Sequence, residues 1–300
     1  MQGPKTLPAI ALILAGFTAA PSFAQAPPPL LPPPQLDQLV ARIALYPDPL
    51  VAQILAAATY PNDIPAAAQW ADQHHYLAGQ DLANAISADQ LPWDPSVQAL
   101  LPFPSVLDMM NSDMNWTTQV GNAFLSQQQD VMDAVQRQRA LAQRYGYLRS
   151  NGQMIVSGGP YITIMPVNPA FVVVPWYDPA IVFFPPRPGF VVGGAIRFGY
   201  GVTVGGFFAP WGWGPSLGIR FDWGARAVFF GGARWGRTWV NRGAYVHPGY
   251  AAIRRPPVRG YVRPPEAHAL HERSAPERAA QREGRPAPRE EHRNERGERR

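Results

Sequence analysis

The sequence predicts an α+β protein. An all-α N-terminal domain of short helices, closed by one long helix, is followed by a small β extension, Gly/Trp-rich hairpins and a disordered tail. Three observations support this prediction. Apolar residues recur at helical spacing over residues 36–145. Short β-branched and aromatic stretches follow Gly146. Residues 251–300 contain almost nothing that could be buried.

The N-terminus is typical of a secretory signal. Lys5 gives a basic start, Leu7–Ala20 is apolar, and Ser22–Ala24 supplies small residues for cleavage. Because the apolar stretch is too short for a membrane-spanning helix, we expect residues 1–24 to be a cleaved signal peptide. An uncleaved membrane anchor is the alternative. The next segment, 25–35 (QAPPPLLPPPQ), is predicted to be a proline-rich, extended spacer.

Helical periodicity begins after the spacer. Apolar residues at positions 36, 39, 40 and 43 lie on one face of a first predicted helix. Further helices are expected to begin near residues 48, 63, 79, 94 and 104. The longest helix is predicted from Asn115 to Tyr145, where Gly146 is placed to end it.

Short strands are predicted after the helices. Residues 154–156, 161–165 and 171–175 are rich in β-branched and aromatic side chains and are separated by Gly-Gly-Pro and Asn-Pro turns. They complete a predicted domain over residues 36–188, formed by the helices and a small β extension.

The composition changes again at residue 189. Residues 189–250 are rich in Gly, Trp and Arg, and Ile219–Trp223 alternates apolar and charged residues, as a half-exposed strand does. We expect β hairpins there. Residues 251–300, with 13 Arg and 8 Glu, are predicted to be a disordered tail. Because residues 37–150 hold 11 Asp against 5 Arg, the basic character of the chain belongs to its C-terminal half.

An aromatic-Asp-Pro motif occurs three times, as YPDPLV at 46–51, PWDPSV at 92–97 and PWYDPAIV at 175–182. An aspartate can accept hydrogen bonds from the free amides at a helix start, and proline suits the first helical position. We therefore interpret Asp48, Asp94 and Asp178 as structural caps. A catalytic carboxylate is the alternative interpretation.

Several of these segments carry a family resemblance. The succession IALYPDPLVAQILAAATYP, WDPSVQALLPFPSVLDMM, NWTTQVGNAFLSQQQDVMDAVQRQRALAQ and IMPVNPAFVVVPWYDPAIVF resembles the bacterial family called domain of unknown function 3300, over about residues 36–185. The resemblance implies an exported protein of a Gram-negative bacterium, in the periplasm or at the outer-envelope surface. It supplies no accepted activity, cofactor or catalytic residue.

Catalytic and metal-binding patterns are weak in this sequence. The lack of cysteine excludes disulfides and thiolate sites. The pair His74-His75 could form a metal site with Asp72, but its context is not that of a metalloenzyme. The GPSLG stretch around Ser216, followed by Asp222 and His247, matches a hydrolase pattern without the required strand and helix. We expect no catalytic residue, no metal and no cofactor.

Arginine alternates with aromatic residues near the end of the Gly/Trp-rich region. Arg and large aromatic side chains are frequent at binding hot spots. We therefore predict a partner-binding site at Arg234, Trp235, Arg237 and Trp239. The expected partner is an envelope protein, or an anionic glycan or lipopolysaccharide. Export argues against nucleic acid as a physiological partner.

These observations favour a non-catalytic, exported cell-envelope protein with an interaction or scaffolding role. The alternatives are a polysaccharide-binding module that uses exposed Trp, Tyr and Arg, and a cell-wall hydrolase. The exposure of the tryptophans distinguishes the first two hypotheses, since sugar binding needs exposed rings and a scaffold buries them. The side chains to compare are Trp211, Trp213, Trp223, Trp235 and Trp239.

Overall fold

The computed structural model describes residues 26–189, 192–214 and 219–247. The predicted signal peptide at 1–24 and the predicted tail at 251–300 fall outside these ranges, as does Ser216 of the weak hydrolase pattern. The described residues form a mixed α+β fold, as predicted. No helix among them is both long enough and apolar enough to cross a membrane.

Nine α-helices account for most of the regular structure in the described ranges. They are α1 (Pro33–Val40), α2 (Asp48–Ala58), α3 (Ile64–Gln73), α4 (Gly79–Ala88), α5 (Pro95–Gln98), α6 (Pro104–Ser112), α7 (Met114–Ser126), α8 (Gln128–Arg144) and α9 (Pro179–Val182). Except for α8, their starts lie within a few residues of those predicted from the sequence. Proline occupies the first turn of most of them, where its missing N–H removes no helical hydrogen bond.

Helix α2 is the central element of the helical layer. Ten of its eleven residues are buried, and eight of those ten are apolar, as expected for a helix surrounded by other elements. Its C-terminal end consists of small residues, and α7 crosses it there at Gly121. A Cβ added to Gly121 would lie 1.9 Å from the carbonyl oxygen of Ala58. The glycine therefore sets the distance between the two backbones.

The prediction of one long closing helix was wrong. The helical segment is divided into α7 and α8 at Gln127, whose backbone angles (φ −147°, ψ 50°) are not helical. The Gln127 side chain bonds both backbone groups of Leu31: its Oε1 accepts from the N–H at 2.7 Å, and its Nε2 donates to the carbonyl at 3.0 Å. The break thus coincides with the point where the proline-rich spacer is attached to the helices.

The strands form small antiparallel sheets. They are β1 (Met154–Ser157), β2 (Thr163–Pro166), β3 (Phe171–Val172), β4 (Pro175–Tyr177), β5 (Ile196–Phe198), β6 (Val202–Thr203), β7 (Arg220–Asp222), β8 (Ala227–Phe230) and β9 (Ala233–Arg234). In the described ranges β1 pairs with β2, β3 with β6, and β4 with β5, whereas β7, β8 and β9 form a three-stranded sheet in that order.

Side chains hydrogen-bond the backbone groups along the outer edges of the sheet formed by β1 and β2. Ser150 bonds both the N–H and the carbonyl of Val156 in β1. Next to β2, the amide of Gln136 on α8 accepts from the N–H of Ile162 at 2.8 Å and donates to its carbonyl at 3.0 Å. Because two-stranded sheets are marginal alone, this attachment to α8 explains how such short strands persist.

The Gly/Trp-rich segment shares its core with the helices. The indole N–H of Trp211 donates to Gln98, that of Trp213 to the carbonyl of Ala99 and that of Trp223 to Asp48; the Trp235 ring lies 4.8 Å from that of Phe124. All four tryptophans are buried. Residues after 189 therefore cover the helical layer through their large side chains.

The close approach at Gly121 leads to a test. Alanine in a helix normally improves stability over glycine by about 1 kcal/mol. Here Gly121→Ala should instead lower the free energy of unfolding, by about 1–3 kcal/mol, because the new methyl group would overlap the backbone of Ala58. Urea denaturation measures the change. Gly152→Ala, where the added Cβ meets nothing within 4 Å, is the control and should stay within about 0.5 kcal/mol. A stabilised Gly121→Ala variant would contradict the packing described here.

Candidate functional site

A buried ion pair between Asp48 and Arg139 lies between the helices and the sheets, and Trp223 donates a hydrogen bond to it. We call these three residues the Asp48 anchor. Arg139 Nη1 donates to Asp48 Oδ1 at 2.6 Å, and Trp223 Nε1 donates to Oδ2 at 3.0 Å. The guanidinium carbon lies 5.0 Å from the centre of the indole ring. The Arg139 side chain is fully buried and that of Asp48 nearly so.

The remaining donors of Arg139 bond backbone carbonyls. Nε donates to Ala44, Nη2 to Tyr46, and Nη1 also to Ile162. Asp48 Oδ1 accepts a further bond from the N–H of Ile164 in β2, at 3.2 Å. A buried ion pair is tolerated when additional hydrogen bonds satisfy both groups, as they do here. The anchor thus connects α2, α8, β2 and the segment after β7.

The prediction that Asp48 caps a helix is therefore corrected. Pro47 occupies the cap position of α2 and no side chain bonds the free amides there; the Asp48 carboxylate points instead towards Arg139. Asp94 and Asp178 do occupy cap positions. Asp94 accepts from the N–H of Ser96 at 2.9 Å, and Asp178 from that of Ala180 at 2.8 Å.

The four residues of the predicted partner-binding site do not lie on one surface. Arg234 is exposed, whereas Trp235 and Arg237 are buried and Trp239 is half-buried. The physical reason is the alternation of an extended chain, which points successive side chains to opposite sides. Trp235 and Arg237 consequently belong to the interior. The sequence interpretation assigned all four residues to one binding site, whereas Trp235 and Arg237 point inward and Arg234 points outward.

Arg237 is the centre of a second polar group, the Arg237 cluster, formed with Thr59, Tyr60, Asp63 and Asp94. Its Nη1 donates to the hydroxyl of Thr59 at 2.6 Å and also to the carbonyl of that residue. Its guanidinium carbon lies 3.6 Å from the centre of the Tyr60 ring. Backbone carbonyls and an aromatic face thus surround this cation.

Burial and charge change the titration of the Arg237 cluster. Burial raises the pKa of the Tyr60 hydroxyl well above its usual value, and the negative charge of Asp94 raises it further. Burial also raises the pKa of Asp63; the backbone N–H of Asp94 opposes this rise and the Asp94 charge adds to it. Desolvation lowers the pKa of Arg237. The cluster is therefore a place where two carboxyl groups, a phenol and a cation influence one another.

Comparison with known proteins places this architecture in a family. The family model described as "Protein of unknown function (DUF3300)" matches residues 33–248, which include every described helix and strand. The chain belongs to the DUF3300 family.

The DUF3300 match extends beyond the resemblance seen in the sequence and includes the Gly/Trp-rich segment with its buried tryptophans. A curated relative, "Uncharacterized protein YacH" of Escherichia coli (strain K12), is 35% identical over 222 residues, covering 58% of this chain and 36% of the relative. The chain thus spans about a third of the length of the curated relative it matches. No solved structure matches this DUF3300 chain.

The histidines of this DUF3300 chain that the structure describes have packing partners. His74 stacks on Trp70 at 3.9 Å and its Nδ1 lies 2.8 Å from the Trp70 carbonyl, while His247 meets the edge of the Phe230 ring. No group of three or more His, Asp or Glu that could hold a metal ion occurs in the described ranges. Asp222, the acid of the candidate hydrolase triad, accepts from the N–H of Ala225 in the β7–β8 turn.

The sequence patterns predicted no role for Arg139 or Tyr60, and they predicted Asp63 only as a residue near a helix start. A signal for Arg139 exists: it continues the apolar row of Val131 and Val135 at four-residue spacing, so helical geometry places its charge on the buried face of α8. A charge on an apolar stripe predicts a buried partner. The partner itself, 91 residues earlier, follows from the fold alone.

Amide substitution separates the anchor from the caps. Asp48→Asn removes the negative charge opposite buried Arg139 and should lower the free energy of unfolding by about 3–5 kcal/mol. Asn caps helices about as well as Asp, so Asp178→Asn should change stability by a few tenths of a kcal/mol. Asp94 is left out of this comparison because its charge also acts on the Arg237 cluster. Denaturant unfolding of the Asp48→Asn and Asp178→Asn variants measures this. Equal effects at the two positions would show that Asp48 is not an ion-pair anchor.

The raised pKa of Asp63 gives a prediction about pH. The native carboxyl keeps its proton to higher pH than the unfolded one. The associated stability is thus fully present below the usual pKa of 3.8 and is lost as the pH rises through the native pKa. Asp63→Asn keeps an acceptor without the charge, so it should melt about 1–3 °C above wild type at pH 7 and show no difference near pH 3.5. Asp108→Asn, at an exposed aspartate, is the control. A pH-independent difference between Asp63→Asn and wild type would overturn this assignment.

Proposed function

We propose that this DUF3300 protein is exported to the cell envelope and acts there without catalysis, as an interaction or scaffolding module. The proposed partner is another envelope protein. The proposal combines two points: the export expected from residues 1–24, and the apolar side chains that remain exposed in the folded protein. The proposed contact region is the segment 155–207, where exposed apolar side chains are concentrated along the chain, and it replaces the predicted four-residue site.

The exposed apolar side chains carry this proposal. Nine of the thirteen large apolar side chains that are exposed in the described ranges lie between residues 155 and 207. They are Ile155, Met165, Val167, Phe171, Trp176, Ile181, Phe184, Tyr200 and Phe207. Apolar side chains scattered singly are normal on a protein surface, whereas a concentration of them marks interaction sites.

The strand register shows how two of these side chains come together. Ile155 in β1 is directly opposite Met165 in β2, and both are more than a third exposed. Directly opposed residues of an antiparallel pair have their Cβ atoms about 5 Å apart on the same face. Since the other face of this sheet contains the buried Met154 and Ile164, the sheet is fixed to the core and presents its outer apolar pair to solvent.

Burial of the tryptophans favours this proposal over a polysaccharide-binding module. Sugar recognition would need exposed rings at the positions named from the sequence, but four of those five rings are buried and the fifth is half-buried. Trp176 is the exposed tryptophan of the described ranges, at 64%, and Arg197 on the paired strand covers one face of its ring.

A paired substitution tests the proposed contact region. The full-length protein carrying Ile155→Ser and Met165→Ser should lose at least about tenfold of its retention on isolated envelope, equivalent to about 1.4 kcal/mol. The control is Val240→Ser with Val246→Ser, which replaces two still more exposed apolar side chains in another segment and should retain wild-type binding. Circular dichroism verifies that both variants are folded.

Export is checked in the same experiment, by sequencing the N-terminus of the envelope-bound protein, which is expected to begin at Gln25. Equal retention of the two double variants would contradict the role of residues 155–207. Recovery of protein that still begins at Met1 in the cytosol would contradict the proposed location.

A further inference from the structure

The three-stranded sheet has a cationic outer face that the proposed function does not use. Arg220 in β7 is directly opposite Phe229 in β8, and Phe229 is directly opposite Arg234 in β9. Directly opposed residues of an antiparallel sheet lie on the same face, so the three side chains form one row across the strands. We call it the Arg–Phe–Arg row.

The burial pattern shows that this face points outward. Both arginines are exposed and Phe229 is half-buried, whereas Val228 and Phe230, on the other side of β8, are fully buried. The guanidinium carbon of Arg220 lies 4.2 Å from the centre of the Phe229 ring. The ring therefore supports one cation and leaves the hydrogen-bonding edges of the guanidinium towards solvent.

The row has little acidic compensation. The ion pairs within the described ranges involve Arg42, Arg137, Arg139 and Arg226, and include neither Arg220 nor Arg234. The carboxylate on the same face is Asp222, two residues from Arg220, and its Oδ1 accepts from the N–H of Ala225 in the adjacent turn. Two guanidinium groups thus remain available on one face of a packed sheet.

The spacing of the row matches phosphate groups on a surface. Arg220 and Arg234 are two strands apart, which places their backbones about 10 Å from each other. A guanidinium binds a phosphate through two parallel hydrogen bonds, a geometry that lysine cannot reproduce. The face is a sheet surface rather than a concave pocket, and the half-exposed ring between the cations offers apolar contact. A flat array of phosphates bordered by apolar groups is the chemistry of a lipid headgroup layer.

We infer that the Arg–Phe–Arg row binds phosphate groups of an anionic lipid surface, with Arg220 and Arg234 as the phosphate ligands. This inference goes beyond the proposed function, which concerns an envelope protein and residues 155–207. It orients the three-stranded sheet towards a membrane. The basic residues at 251–300 add a general attraction to the same surface, which salt screens.

Vesicle co-sedimentation of the full-length protein tests the inference. The probes are phosphatidylcholine vesicles with and without phosphatidylglycerol at 150 mM salt, where wild type should bind the anionic vesicles alone. Arg220→Gln with Arg234→Gln should weaken that binding about tenfold or more, since both charge-assisted pairs of hydrogen bonds to phosphate are lost. The matched control is Arg144→Gln with Arg149→Gln, which removes the same charge from exposed positions on and just after α8 and should weaken binding about twofold or less.

Further measurements distinguish a specific site from nonspecific charge attraction, and lipid phosphates from soluble anions. Lysine at both positions keeps the charge without the fork and should restore only part of the binding. Equal losses in the row and control variants, or full rescue by lysine, would overturn a specific site. Binding of wild type to heparin or inorganic phosphate, without binding to anionic vesicles, would assign the row to a soluble anion and overturn the lipid surface. Retention on envelope through residues 155–207 is measured with separate variants, so either proposal can fail alone.

Discussion

The fold depends on one buried pair of charges, Asp48 and Arg139. Removing both ions from water is costly, and the cost is offset because every oxygen of Asp48 and every nitrogen of Arg139 has a hydrogen-bond partner. Those partners lie in the loop before α2, in and next to β2, and at Trp223, which directly follows β7. A single interaction therefore requires the helical layer, the β extension and the Gly/Trp-rich segment to be in place together.

Polar side chains elsewhere repeat this solution on a smaller scale. The amides of Gln127 and Gln136 each bond both backbone groups of a passing residue, as a neighbouring strand would. The hydroxyl of Tyr177 accepts from the N–H of Leu45 and donates to the carbonyl of Ala41. Buried backbone groups must be paired, and a chain with so little regular sheet pairs them through side chains. Side chains thus supply backbone partners where irregular segments cover the helices.

Local patterns in the sequence predicted the helices, because each apolar stripe and each Asp-Pro start is contained within a few residues. The strands near 154, 163, 171 and 220 were predicted for the same reason. What failed depended on distant partners. No residue close to Gln127 in the sequence indicates that its side chain is hydrogen-bonded to Leu31, so a single continuous helix was predicted. Asp48 has the same local motif as Asp94, and only the position of Arg139 gives it a different role. At Arg234–Trp239 the prediction failed because buried and exposed side chains alternate along the chain there, and the glycine-rich composition gave no sign of this alternation.

The long sequence separations between Asp48 and its partners affect the rate and the order of folding. The partners of Asp48 lie 91, 116 and 175 residues further along the chain. Contacts of such long range slow folding, because the entropy of closing large loops is lost before the contacts form. A nascent chain that ends before residue 223 cannot complete the anchor, so its carboxylate keeps its hydration and the helices lack their closing partner. The N-terminal helices should therefore remain loosely associated until residue 223 has emerged, and the native core should form in one late step once Trp223 is available.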